Sequence, residues 1–94
     1  MSIPAKDPAA TLDYQVDWSA WLAEGETITG TPVIEVDDGL TLNPPGKNTM
    51  AADGKVTFWL AGGTAGQVYT VACQITTSQG RTDQRSFRLS ASNR

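Results

Sequence analysis

Between Leu12 and Trp18 every second residue is apolar: Leu12, Tyr14, Val16 and Trp18 alternate with Asp13, Gln15 and Asp17. Successive side chains of a strand point to opposite faces, so this segment predicts a strand with one face on a core and one in water. The pattern breaks at Ser19-Ala20-Trp21-Leu22, where Ser19 is placed to cap one helical turn over 19–23. Glu24-Gly25-Glu26 then turns the chain.

The same period recurs downstream. Residues 27–36 are rich in β-branched side chains, with Ile28, Ile34 and Val36 in phase. Pro32 sits within that run and cannot donate to a ladder, which predicts a bulge or an edge-facing position. Asp37-Asp38-Gly39 turns into a short strand at Leu40–Leu42, ended by Asn43-Pro44-Pro45-Gly46. A weak strand over Asn48–Ala51 leads to an Asp53-Gly54 hairpin turn. Lys55–Ala61 directs Val56, Phe58 and Leu60 inward and Trp59 outward. After the corner Gly62-Gly63-Thr64-Ala65-Gly66, residues 67–77 place Tyr69, Val71, Cys73 and Ile75 on one face. Ser78-Gln79-Gly80-Arg81 closes a hairpin into 82–91, where Arg85, Phe87 and Leu89 share a face. The expected core is Leu12, Tyr14, Val16, Trp18, Ile28, Phe58, Leu60, Tyr69, Val71, Ile75, Phe87 and Leu89.

Six to seven short antiparallel strands at roughly ten-residue spacing predict an all-β, immunoglobulin-like β-sandwich. Tyr69 heads its strand just after a glycine-rich corner. That placement is tyrosine-corner-like, with the hydroxyl bonded back to the backbone of the corner. Residues 12–94 are expected to form the sandwich domain. Residues 1–11, with Pro4 and Pro8 and no apolar period, read as an extended arm with no strand to join in its own chain.

Composition narrows the chemistry. The 94 residues contain no histidine, which removes the commonest general base and the commonest transition-metal ligand. Cys73 is the only cysteine, so a disulfide within the chain is impossible, and its phase makes it a small core side chain rather than a nucleophile. Asp13 with Asp17, and Asp37 with Asp38, are carboxylate pairs on an exposed face and in a turn, where carboxylates make poor general acids. Neither fits the spacing of a calcium loop, and the 62–66 corner lacks the lysine of a phosphate-binding loop. No catalytic, cofactor-binding or metal-ligating residue is therefore expected. No apolar run approaches membrane-spanning length, and residues 1–8 carry no apolar signal segment, so synthesis in the cytoplasm is expected.

Charge is divided unevenly. Residues 1–54 hold two lysines against nine acids, a net −7, while 55–94 hold Lys55 and four arginines against Asp83, a net +4. Such halves suit contact between neighbouring copies or with oppositely charged partners. Four arginines in a chain of net −3 do not make the basic stripe of a nucleic-acid binder. On an edge strand they deter aggregation. Candidate contact residues are Ile3, Pro4, Lys6, Asp7 and Pro8 of the arm, outward Trp59, and Arg81, Arg85 and Arg88. An outward tryptophan is either covered by a loop or serves as an interface anchor. Trp21 either plugs one end of the sandwich or docks elsewhere.

Two sets of motifs carry a resemblance. Lys6-Asp7-Pro8, Leu12-Asp13-Tyr14 and Asp17-Trp18-Ser19-Ala20-Trp21-Leu22 form the first. The second is the 62–66 corner followed by Ile75-Thr76-Thr77, Gly80-Arg81-Thr82-Asp83 and Arg85-Ser86-Phe87. Together, over residues 6–89, they resemble the small tailed-bacteriophage virion proteins labelled fibre–tail adaptors, with residues 32–55 departing most. The resemblance implies a non-enzymatic structural protein of the virion tail that connects tail machinery to a receptor-binding fibre. It implies partners among other virion proteins; the arm and the oppositely charged halves predict several copies in a symmetric ring or collar, and neither nucleic acid nor membrane is an expected partner. Two other readings fit a small sandwich: a capsid decoration protein, and a carbohydrate-binding module, for which only Trp59 offers an exposed aromatic.

Overall fold

Strand β6, Lys55–Gly62, organises one half of the molecule because it alternates without interruption and finds partners on both sides. The computed structural model describes residues 5–91. Ile3 and Pro4 of the expected arm lie outside the described residues. Against one edge of β6 runs β2, Leu12–Asp17, antiparallel in a register that pairs Tyr14 with Phe58 and Val16 with Val56. Against the other edge lie β4, Leu40–Leu42, and β5, Met50–Ala52. The β5–β6 hairpin turns on Asp53 and Gly54, both at positive φ (55° and 76°), as the two-residue turn that matches strand twist demands.

The second sheet has the order β1-β8-β7-β3, with β1 at Ala5–Lys6, β3 at Ile28–Val36, β7 at Val68–Thr77 and β8 at Thr82–Ala91. The long β7–β8 hairpin pairs Tyr69 with Leu89 and Val71 with Phe87. β3 pairs antiparallel with β7, and its register shifts between Thr29 and Val33, the irregularity expected at Pro32. The architecture is all-β: seven antiparallel strands in two sheets, joined by the short parallel β1. No helix occurs among the described residues.

The core lies between the sheets. Trp18, Val56, Phe58, Leu60, Val71, Cys73 and Leu89 are fully buried, with Ile34, Leu40, Tyr69, Ile75 and Ala91 beside them. Most of the expected core is therefore interior. Tyr14, Val16, Ile28 and Phe87 are half-buried, and Leu12 is 41% exposed, which corrects its assignment to the core. The cause is position: β2 has a neighbour only in β6, so the side of the sandwich where it ends is open. Tyr14, Phe58 and Phe87 make a ring cluster there, with centroids 6.2–6.3 Å apart.

Two further expectations change. The single turn expected after Trp18 does form, with the Trp18 carbonyl accepting from Trp21 N–H (2.9 Å) and Leu22 N–H (3.1 Å), but Ser19 is not its cap. Instead the Asp17 carboxylate accepts from both the Ser19 N–H (2.9 Å) and its hydroxyl (2.6 Å). The segment read as an arm with no strand to join does find one. Ala5 and Lys6 pair with Ser90 and Ala91 of β8.

Candidate assembly surfaces

β1 ends in a buried charge. Lys6 is only 1% exposed, and its ammonium donates to the carbonyls of Gly62 (2.8 Å) and Asp7 (2.9 Å). Burial pushes its pKa down, with the Asp7 carboxylate pulling the other way. Beyond Lys6 the chain turns sharply. The Asp7 carboxylate accepts from Ala9 N–H and the Asp7 carbonyl from Ala10 N–H, both at 2.9 Å, with half-buried Pro8 between. This turn carries the chain from one sheet to the other.

The same end of the sandwich is shaped by Tyr69. Its hydroxyl accepts from Thr64 N–H at 2.8 Å. Gly39, at φ 107°, passes so near the ring that a Cβ there would lie 2.8 Å from Tyr69 Cε1. No residue but glycine fits that passage.

Arg81 lies at the opposite end, beyond the β7–β8 turn, and is committed to its own chain. Its Nε donates to Glu26 (2.9 Å), its Nη2 donates to the other Glu26 oxygen, and its guanidinium stacks 4.0 Å from the Trp21 ring centre. The Glu26 side chain is fully covered and also accepts from the Thr77 hydroxyl and from Ala23 N–H. These donors, Arg81 first, hold its carboxyl down at about 2, and Glu26 raises the Arg81 pKa in turn. Glu26 was not legible as a site residue, because its partner is 55 positions away. Trp21 closes this end of the sandwich, packed edge-on against Trp18 at 5.4 Å.

Arg85 is likewise engaged. Its Nη1 donates to the Asp17 carbonyl at 2.7 Å, and its guanidinium lies 4.3 Å over Trp18, bridging β8 to β2. Arg88, by contrast, is exposed on the outer face of its sheet, in register with Thr70. Trp59 points outward as expected and is half-buried, because the 43–49 loop reaches over it. Lys47 Nζ stands 4.2 Å from its ring centre, and Asn43 exchanges hydrogen bonds with the Trp59 backbone. Loop cover and partial exposure thus coexist at one side chain. The structure leaves Trp59 and Arg88 on the outer faces of different sheets and does not gather the candidates into one patch.

Nothing in these sites resembles a catalytic arrangement. Among the described residues no group of three or more cysteine or acidic side chains is placed to hold a metal ion. Cys73 is fully buried, and burial pushes its thiol pKa up, away from nucleophilic reactivity. An open groove of about 480 Å³ lies between the 19–28 segment and the β5–β6 hairpin, lined by Leu22, Ala23, Ile28, Ala51 and Ala52 among others. No long apolar helix able to cross a membrane occurs among the described residues.

Comparison with known families gives one match that spans nearly the whole chain. A family model described as Gp77, podophage GP4 fiber-tail adaptor protein gp77, matches residues 6–90. No curated protein matches the chain.

Proposed function

The chain belongs to the podophage GP4 fiber-tail adaptor family, and on that premise we propose that it connects the tail machinery to the receptor-binding tail fibre without catalysing a reaction. Membership makes it a bacteriophage tail structural protein. The finer role is supported by where the side chains go. Arg81 and Arg85 brace the sandwich from its surface, each tying separate elements of the chain together. Trp59 and Arg88 remain on opposite outer faces, available to two different neighbours. A braced block with separate contact faces suits a connector.

The remaining features are read in the same frame. The two facing sheets, and the Tyr69 hydroxyl bonded at the Thr64 corner, favour an immunoglobulin-like sandwich with a tyrosine corner. Residues 12–94 form this domain and 1–11 its arm. Several copies form a symmetric ring or collar in the virion after synthesis in the host cytoplasm, with Ile3, Pro4, Lys6, Asp7, Pro8, Trp59, Arg81, Arg85 and Arg88 near the contacts.

The family match carries the proposal. Its test is a phage lacking this protein, imaged beside the complemented phage. Tails without fibres are the expected result. Fibres present at normal number would overturn the adaptor role. Hundreds of copies per purified particle would make the protein a capsid decoration instead.

A further inference from the structure

We propose that β1 is an exchangeable strand, and that Ala5–Lys6 of one copy docks on β8 of a second copy at the site it fills in its own chain. This deepens the adaptor reading by naming one partner as another copy, and it rests on that reading only for the crowding of copies on a particle.

The occupant is identified by the structure, because the chain's own segment is the ligand that fits. The pairing is small and parallel, Ala5 with Ser90 and Lys6 with Ala91. Parallel ladders are slightly weaker per residue than antiparallel ones. Its specificity comes from Lys6, whose ammonium is taken out of water for two main-chain carbonyls. One of those, Asp7, travels with the strand. The other, Gly62, belongs to the docking site, together with the β8 edge at Ser90 and Ala91. A cationic side chain at the end of a short strand is therefore what the site accepts.

The tether permits the transfer. Only residues 7–11 join β1 to β2, and their turn is held by two hydrogen bonds that Asp7 accepts, from Ala9 N–H and Ala10 N–H. Opened, five residues span at most roughly 17 Å. The β2–β6 register begins at Leu12, beyond this tether, so β1 can leave without breaking any pair of it. Every contact that β1 gives up in one copy is regained on another, leaving the entropy of association as the main cost. Local concentration lowers that cost.

The test uses two single variants of the full chain, Ala5→Cys and Ser90→Cys, mixed at high concentration, allowed to exchange, and oxidised. Exchange places the two cysteines side by side in different chains, giving a disulfide-linked heterodimer at twice the 10.0 kDa mass of one chain. The double variant Ala5→Cys/Ser90→Cys is the control, and its disulfide shows that these positions can be bridged in a folded chain. If the control closes while the mixture stays at single-chain mass, exchange is overturned and the adaptor role is untouched. The unaltered chain gives a second reading by sedimentation. An average mass rising toward two or more chains with concentration supports exchange, and a single-chain mass throughout overturns it. Absence of the protein from virions would sink the adaptor reading and leave both measurements unaffected.

Discussion

Glu26 and Arg81 meet in a two-point ion pair whose carboxylate is fully covered while the guanidinium remains 43% exposed. The pair ties the 23–27 turn to the β7–β8 hairpin and clamps Trp21 over the end of the core.

A dependence of stability on acid follows. The Glu26 pKa is depressed from 4.5 to about 2 in the folded chain, so its contribution is fully present above the unfolded value and is lost as pH falls from about 4.5 toward 2. Denaturant melts between pH 7 and pH 2.5 are expected to show midpoints falling through that window. Glu26→Gln lowers the midpoint at pH 7 and flattens the fall. An equal fall in both proteins would assign the acid sensitivity to other carboxylates.

Tyr69→Phe keeps the ring and removes the acceptor for Thr64 N–H. The expected loss is about 1–2 kcal/mol. For a domain of this size that lowers the melting temperature by roughly 4–16 °C. An unchanged melt would mean that water replaces the hydroxyl at no cost.

Gly39→Ala is expected to cost more, because the added methyl both meets the Tyr69 ring and sits on backbone at φ 107°. A loss of about 2 kcal/mol or above is expected from strain at such a position. Gly46→Ala, also at positive φ but with open space around it, provides the comparison. Equal losses in the two would show that the ring contact adds nothing.

Arg85 and Arg88 separate bracing from display. Arg85→Ala removes a hydrogen bond to Asp17 and a stack on Trp18, and roughly 1–2 kcal/mol of stability should go with them. Arg88→Ala should change stability by less than about 0.5 kcal/mol. Its effect, like that of Trp59→Ala, is expected in particle assembly, read as fibres per virion.

The strands that alternate strictly were readable from sequence. β6 and β7 each pack against neighbours on both sides, so their burial follows the period of two: Val56, Phe58 and Leu60 inward, then Tyr69, Val71, Cys73 and Ile75. The Asp53-Gly54 turn was equally plain, since few residue pairs tolerate two successive positive φ values. What escaped depends on distant partners. Two residues of β1 carry no period, and a lysine reads as solvent-facing until Gly62, 56 positions on, supplies its carbonyl. Leu12 followed the right phase, yet an edge strand leaves its first side chain in water. At Ser19 the hydroxyl and the N–H both turn back to the Asp17 carboxylate, two residues earlier, so the turn that follows goes without the expected cap. Of the candidate contact residues, the sequence located Trp59 on an outer face but could not tell engaged Arg81 and Arg85 from free-facing Arg88.

The shift in β3 between Thr29 and Val33 bears on what happens when many such chains crowd together. β3 ends its sheet, so its outer row of amides faces whatever approaches. Pro32 deletes one donor from that strand, and the shifted register breaks its spacing. A second sheet cannot lay down a continuous ladder on such a row, and growth from chain to chain stalls. The strand that terminates the sheet thus carries its own protection against edge-to-edge growth.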